Sequence, residues 1–492
     1  MKRFITWILV LLMVIGIIGC SSMQTIVDET KDTIKEEFQK EKDKNSAEDS
    51  KATEKPELEP VSEHEAESEP EPESVSSPET AKSSFDQSAK IDETVLVDSQ
   101  GVKITATELT FEKYYGAVLS LLIENSNEFD ITVVSGSISS DWNYVNGYMA
   151  GGYVYEEVAA GKKAISQMQI DLDKLKLLGM KGISEIGIAF LVQKEDHSTL
   201  LESDIVSIET SFKGDSDTGF IDTIQDSSLQ KEFGLEVDYI SEEIPFESNI
   251  ISIESVSLIT NSSAEQRIFL DVNNHSDQPI RVQTSNIVIN GVVIENGIWN
   301  SEMIAPGKKS IIEINYQSMA CDENVISLLG ISPLCSAEIA INVNDKEGNS
   351  IEQPDPLQIR LSDKDVSAID QAVEVYNEND VRILYLGTVK DSQAYSDYMY
   401  IAFLVTNNAA DDRRIDIEYN SLSVNGFMAN SLYFDGTVKA GKTGLLILEL
   451  MDPSKIQINA PDEIESIEFG FEIKDVKHHK IANGTVTVNL AD

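Results

Sequence analysis

Residues 119–125 read Leu119-Ser120-Leu121-Leu122-Ile123-Glu124-Asn125, and the same pattern returns at residues 268–274 and 401–407. In each copy, alternate positions are apolar and the segment closes on an asparagine. A strand with one face on a core requires this alternation, because successive side chains point to opposite faces of a sheet. Three copies of one strand predict three copies of one module.

Two glycine turns follow each of these strands in the same order. The first is an Asn-Gly pair between apolar runs, which is the strongest short-range signal for a tight hairpin. The second turn opens another strand, and a short helical connection and a shared frame of alternating apolar residues complete each copy. The Asn-Gly pairs are Asn146-Gly147, Asn290-Gly291 and Asn425-Gly426; the second turns are Ala160-Gly161-Lys162-Lys163, Pro306-Gly307-Lys308-Lys309 and Ala440-Gly441-Lys442; the frames begin at Ile183, Leu334 and Ile464.

Short strands at even spacing, glycine turns and one brief helix per copy predict an all-β chain of three tandem antiparallel β-sandwiches. The copies resemble Ig-like domains of uncharacterised function that are common in Gram-positive surface lipoproteins. That resemblance implies that the modules are Ig-like sandwiches, and it brings no catalytic residues with it. The ends of the repeat frame predict that they span residues 91–213, 233–362 and 368–492. The Cys…Trp…Cys pattern of antibody domains is absent.

The N-terminus reads as a targeting segment followed by a tether. Met1-Lys2-Arg3 precedes an apolar run that ends at Gly19-Cys20, and this run is short for a membrane-spanning helix. It resembles the signal sequence of bacterial lipoproteins, which implies a signal peptide at residues 1–19 and a lipidated Cys20 on the extracytoplasmic face of the cell membrane. An uncleaved signal anchor is the alternative, and it gives the same topology. Residues 20–90, rich in Pro, Glu and Ser, are expected to form a disordered acidic tether.

The chain carries 85 acidic and 38 basic side chains, for a net charge of -47. Such a surface repels polyanions, which excludes nucleic acid as a partner. It serves solubility on a crowded cell surface, or else it attracts a cationic partner.

Cys321 and Cys335 form the remaining pair of cysteines, in a compartment that permits disulfides. A bond between them would close a short loop and contribute about 3 kcal/mol. Two buried thiols are the alternative. The cysteines and histidines do not have the spacing of zinc ligands, and we predict no metal site and no cofactor.

The hairpin of the first copy concentrates aromatic side chains. If exposed, these could stack on sugar rings or anchor a protein partner. The alternative is that they are good strand formers that pack across the sandwich and against its neighbours. The candidate ligand-binding residues are Trp142, Tyr144, Tyr148, Tyr153 and Tyr155.

Three functional hypotheses follow. The first is a non-enzymatic, lipid-tethered surface protein that binds or adheres to a protein or glycan ligand. The second is a structural spacer or envelope-assembly lipoprotein without a soluble ligand. The third is a hydrolase that uses paired carboxylates, although the sequence singles out no pair.

Overall fold

The computed structural model describes residues 85–136, 143–213, 219–241, 243–316, 323–329, 334–360, 372–391, 398–433 and 436–490. All of them belong to one unit, Ala81–Asp492. The predicted signal peptide, Cys20 and most of the predicted tether lie outside the described residues.

Three modules follow one another along this unit. The first contains β1 (Thr94–Ser99), β2 (Val102–Glu112), β3 (Gly116–Asn125), β4 (Ile131–Ser135), β5 (Tyr144–Val145), β6 (Val154–Val158), β7 (Lys163–Ile170), α1 (Leu172–Leu177), β8 (Glu185–Ile188), β9 (Leu191–Lys194), β10 (Thr199–Glu202) and β11 (Val206–Glu209). Two short helices follow, α2 (Phe220–Gln225) and α3 (Ser227–Phe233). The second module contains β12 (Glu236–Ile240), β13 (Phe246–Glu247), β14 (Ile251–Thr260), β15 (Gln266–Asn274), β16 (Ile280–Ile289), β17 (Val292–Ile304), β18 (Lys309–Ile314), α4 (Glu323–Leu329), β19 (Ser336–Asn344), β20 (Ser350–Glu352) and β21 (Leu357–Arg360).

The third module contains β22 (Val373–Glu378), β23 (Val381–Lys390), β24 (Tyr398–Asn407), β25 (Arg413–Ile417), β26 (Ser423–Val424), β27 (Phe427–Met428), β28 (Ser431–Tyr433), β29 (Gly436–Val438), β30 (Thr443–Met451), β31 (Ser466–Lys474) and β32 (Lys480–Asn489). Short 3-10 helices at Pro453–Ile456 and Pro461–Glu463 take the place of the α-helix that connects the strands in the other two modules.

One sheet has the same strand order in every module. It runs β1-β2-β3-β7 in the first, β12-β14-β15-β18 in the second and β22-β23-β24-β30 in the third, with antiparallel neighbours throughout. The shared frame forms the centre of the facing sheet, as β8 with β9, β19 and β31. Buried apolar side chains from both sheets form a core within each module. The prediction of an all-β fold of antiparallel sandwiches is confirmed, and the Ig-like assignment stays a prediction.

The three Asn-Gly pairs form hairpin turns, as predicted. Their asparagines have φ of 47°, 48° and 51°, the left-handed region that asparagine and glycine tolerate best. The asparagine side chain adds a second contact that the sequence did not reveal. Its Oδ1 accepts backbone N–H groups from the start of the frame: Ser184 and Glu185 for Asn146, Cys335 and Ser336 for Asn290, Glu465 and Ser466 for Asn425.

The asparagine that closes the repeated strand is buried in every module and crosslinks the backbone. Asn274 is typical: its Nδ2 donates to Gln278 O at 2.8 Å and to Ile304 O at 3.0 Å, and its Oδ1 accepts from Ser276 N at 2.9 Å. Asn125 and Asn407 make the equivalent bonds. Backbone groups that leave the sheet at a strand end are thereby satisfied without water.

Two predicted boundaries need correction. The first module begins before residue 91, because Phe85 and Ala89 are buried in its core. The segment between the first two modules is also more than a linker, since Phe220 and Ile224 of α2 pack into the same core. The join between the second and third modules lies largely in residues 361–371, outside the described residues.

Candidate functional site

The structure separates the predicted aromatic residues into two groups. Tyr144 and Tyr148 are 4% and 2% exposed, whereas Tyr153 and Tyr155 are 51% and 52% exposed. Trp142 lies outside the described residues. The candidate ligand-binding role is therefore corrected for Tyr144 and Tyr148, which are buried as the packing alternative expects, and it stays a prediction for Tyr153 and Tyr155.

Tyr144 and Tyr148 lie where the first module meets the second. The Tyr144 hydroxyl donates to Glu185 Oε1 at 2.8 Å, and Lys308 Nζ of the second module lies 3.8 Å from the Tyr144 ring centroid. Burial, and then the hydrogen bond to Glu185, raises the pKa of Tyr144 to about 12. A cation over an aromatic face is attracted by the ring quadrupole, so this contact helps to hold the two modules together.

Glu185 stays ionised at the same junction. Burial favours its neutral form, but hydrogen bonds from Ser207 and Tyr144 and the charge of Lys308 outweigh burial and lower the pKa of the carboxyl. Lys308 Nζ is 3.6 Å from Glu185 Oε2. The junction thus contains an ion pair that is shielded on one side by an aromatic ring.

The other two tyrosines lie at the start of strand β6 and face solvent. Val154 and Val158 are buried, and the period of two places Tyr155 on the opposite face, while Tyr153 directly precedes the strand. The Tyr155 hydroxyl donates to Glu157 Oε1 at 3.0 Å, and this hydrogen bond is the main reason that the pKa of Tyr155 is raised. One rotamer of the Tyr155 ring is thereby favoured on the surface.

Two further exposed tyrosines, which the sequence analysis missed, lie at the same end of the module. Tyr114 and Tyr115 form the turn between β2 and β3 and are 85% and 50% exposed. A glycine next to each tyrosine segment lies against the end of β7, which places both segments at the same end of the module. A Cβ on Gly116 would be 2.4 Å from Ile170 O, and a Cβ on Gly152 would be 2.0 Å from Gln169 O. We name Tyr114, Tyr115, Tyr153 and Tyr155 the tyrosine end.

The tyrosine end offers flat apolar faces with hydroxyl groups at their tips. Such side chains stack on sugar rings or anchor a protein partner, and they lose little conformational entropy when they do so. Across the described part of the chain, His, Cys, Asp and Glu form no group of three or more that could hold a metal ion.

Of the three cysteines, Cys335 lies within the described residues. Cys335 is buried at 4% exposure, and its backbone N–H donates to Asn290 Oδ1 at 2.8 Å. Cys321 and Cys20 lie outside the described residues. The disulfide and the lipidation therefore stay predictions.

The fold and these sites define an all-β protein built from tandem antiparallel sandwiches. No family model and no curated protein matches the chain. Among solved structures it is similar to one from a study of how a 1.5-MDa bacterial ice-binding adhesin is retained at the host cell surface, with 12% identity over 75% of this chain and 90% of that one. The TM-score of this match is 0.12.

Within the residues that the structure describes, no helix has the length and apolar character that crossing a bilayer requires.

Proposed function

We propose that this chain is a non-enzymatic binding protein, lipid-anchored through Cys20 on the extracytoplasmic face of the cell membrane, and that its tyrosine end contacts a protein or glycan ligand. The observation that carries the proposal is the set of four exposed tyrosines at one end of the first module. The equivalent turn of the second module reads Asn261-Ser262-Ser263-Ala264, so the repeat itself does not require aromatic residues there.

The charge of the chain narrows the ligand. With a net charge of -47, the protein repels polyanions, which disfavours anionic glycans and nucleic acid. Glu157 is the hydrogen-bond partner of Tyr155, and it brings negative charge to the tyrosine end itself. An uncharged glycan or a protein with a neutral or basic surface fits these conditions best.

A binding array of cell-wall glycans and surface proteins tests this proposal. The chain from Ser21 should bind at least one class of ligand, and replacement of the four tyrosines by serine should abolish that binding. Tyr419→Ser is the matched control, because Tyr419 is 86% exposed but lies in the third module. An array without a hit, or equal loss of binding in the Tyr419→Ser control, would contradict the proposal.

The anchor has its own test. The wild-type chain should incorporate a labelled fatty acid, and Cys20→Ser should abolish that incorporation. If the wild-type chain incorporates none and stays in the membrane fraction, the apolar segment is an uncleaved signal anchor.

A structural spacer is the second candidate, and the two closely packed junctions between modules favour it. The first contains the Lys308–Glu185 ion pair, and the second contains an ion pair between Lys442 and Glu338 at 3.1 Å. If the protein is a spacer, replacing the four tyrosines should leave the cellular phenotype unchanged, whereas deleting residues 21–80 should change it.

A further inference from the structure

The junction between the first two modules is a short parallel β-pairing of two turns. Tyr148, one residue after the hairpin glycine Gly147, pairs with Lys309, two residues after the turn glycine Gly307. Met149 N donates to Lys309 O at 2.7 Å, and Lys309 N donates to Gly147 O at 2.9 Å. The hairpin turn of one module therefore joins the edge of the next module by main-chain hydrogen bonds.

The junction between the second and third modules repeats this pairing in the same register. Val292 follows Gly291 by one residue and pairs in parallel with Thr443, which follows Gly441 by two. The lysine between the receiving glycine and the paired residue also has the same role in both junctions. Lys308 reaches Glu185 of the first module, and Lys442 reaches Glu338 of the second.

Apolar contacts follow the same rule. The fourth residue after the receiving glycine is Ile311 in the second module and Leu445 in the third, and each packs against the core cluster of the preceding module. On the other side, Met149 packs against the core cluster of the second module. Each junction thus joins two complementary surfaces. The hairpin half is the Asn-Gly turn with the two residues after it, and the receiving half is the second glycine turn with the four residues after its glycine.

Among the residues that the structure describes, the equivalent halves of the two outermost modules are exposed. At the hairpin half, Tyr148 and Val292 are 2% and 3% exposed inside the chain, whereas the equivalent Phe427 of the third module is 51% exposed and the adjacent Met428 is 63% exposed. At the receiving half, Ile165 of the first module is equivalent to Ile311 and Leu445, and it is 74% exposed.

The neighbours of these residues preserve the complementarity. In the third module, Leu445 lies opposite Leu404 in the sheet, and Leu404 is 0% exposed because it joins the core cluster of the second module. In the first module, Ile165 lies opposite Leu122 in the same way. Lys162 is exposed at the position of Lys308 and Lys442.

The third module carries an exposed acid, Glu468, at the position of the acid that Lys442 contacts in the second module. Glu468 pairs with Ser423, two residues before the hairpin asparagine of its module. Glu338 pairs with Val288 at the same position of the second module, so Glu468 corresponds to the acid that Lys442 contacts. The two outer surfaces thus carry opposite charges at matching places.

From this continuity we infer that the hairpin half of the third module binds the receiving half of the first module in a second copy of this chain. Phe427 of one copy pairs with Lys163 of the next, Lys162 reaches Glu468, and Ile165 is covered. Because the two halves differ, the contact is heterologous, and it propagates into linear head-to-tail chains rather than closing as a dimer.

The affinity expected between copies is low. Modules joined by a short linker experience an effective concentration in the mM range, so a junction that is stable within the chain need not be tight between chains. Net negative charge also opposes association over about 8 Å at physiological salt. Confinement of copies to one surface would raise their local concentration and so offset the first effect. The test must therefore trap a weak contact.

Disulfide trapping in the purified full chain tests the inference, in a background in which Cys20, Cys321 and Cys335 are replaced by serine so that only the introduced thiols can pair. Lys163→Cys and Phe427→Cys belong to opposite outer modules, and neighbouring strands lie about 4.8 Å apart, within the separation that a disulfide spans. Mild oxidation of the double variant should give a ladder of multimers, whereas a mixture of the two single variants should stop at dimers. The control pair Lys163→Cys and Tyr419→Cys should give no ladder.

Charge reversal supplies a second readout at exposed positions that folding tolerates. In the double-cysteine chain, Lys162→Glu or Glu468→Lys should each lower the initial rate of ladder formation by up to about fivefold, the effect of an exposed ion pair. Both changes together should restore it. A single monomer band in the double variant overturns the inference, whether the surface stays open or is covered by residues 1–84 of the same chain; a ladder equally strong in the Tyr419→Cys control overturns it too.

Discussion

Removing the strand-end asparagine of the second module should cost about 3 kcal/mol of unfolding free energy. Asn274 is 0% exposed and makes hydrogen bonds of 2.8, 3.0 and 2.9 Å to Gln278 O, Ile304 O and Ser276 N. Each bond contributes about 1 kcal/mol net, and alanine also leaves buried carbonyls without a partner. Aspartate should be worse than alanine, because it places a carboxylate where the carbonyl oxygens require a donor.

Urea unfolding of the chain from Ser21, followed by circular dichroism, measures this loss. Asn483→Ala is the matched control: Asn483 is an exposed strand asparagine, and its replacement should change the unfolding free energy by less than about 0.5 kcal/mol. The equivalent changes at Asn125 and Asn407 should resemble Asn274→Ala. If Asn274→Ala loses no more than the control, the asparagine does not stabilise the module as we argue.

Two pH effects follow from the junctions. The pKa of Tyr144 is raised to about 12, so its contribution to stability is present below about pH 10 and is lost as pH rises from there through about 12; Tyr144→Phe should remove this alkaline limb and cost about 1 kcal/mol at neutral pH. Burial of Glu254 is outweighed by hydrogen bonds from Lys309 and Asn273, which lower the pKa of its carboxyl. Its contribution is therefore present above its unfolded pKa and is lost as pH falls through the folded value, and Glu254→Gln should flatten the acid limb of the urea midpoint plotted against pH. Unchanged pH profiles in these two variants would show that neither group couples folding to protonation.

Much of the fold was predictable because its signals are local. An Asn-Gly pair favours a hairpin by its own backbone preferences, so all three turns followed from the sequence. The purpose of the strand-end asparagine was not predictable, since the Asn274 side chain reaches Ile304, thirty residues further along the chain. Recurrence marked Asn274 as important, but only the folded backbone shows what it satisfies.

The candidate site was harder to predict for the same reason. Tyr148 is hidden by Lys309 and its neighbours, far away in sequence, and alternation along one strand cannot reveal a cover that another module supplies. Tyr114 and Tyr115 were missed because they form a turn, where apolar periodicity gives no signal. The tyrosine end is assembled by the approach of two segments, which a single segment does not encode.

The same junction forms twice within the chain, and in the described residues its two halves are exposed on the outermost modules. Amide hydrogen exchange at Met149 and Met428 tests this arrangement most directly, because these residues are equivalent and Met149 N donates to Lys309 O at 2.7 Å. We predict slow exchange at Met149 at every protein concentration. Met428 should exchange fast in dilute solution and slow down as the concentration rises. Equal rates at the two amides in dilute solution, or a Met428 rate that never depends on concentration, would contradict the account.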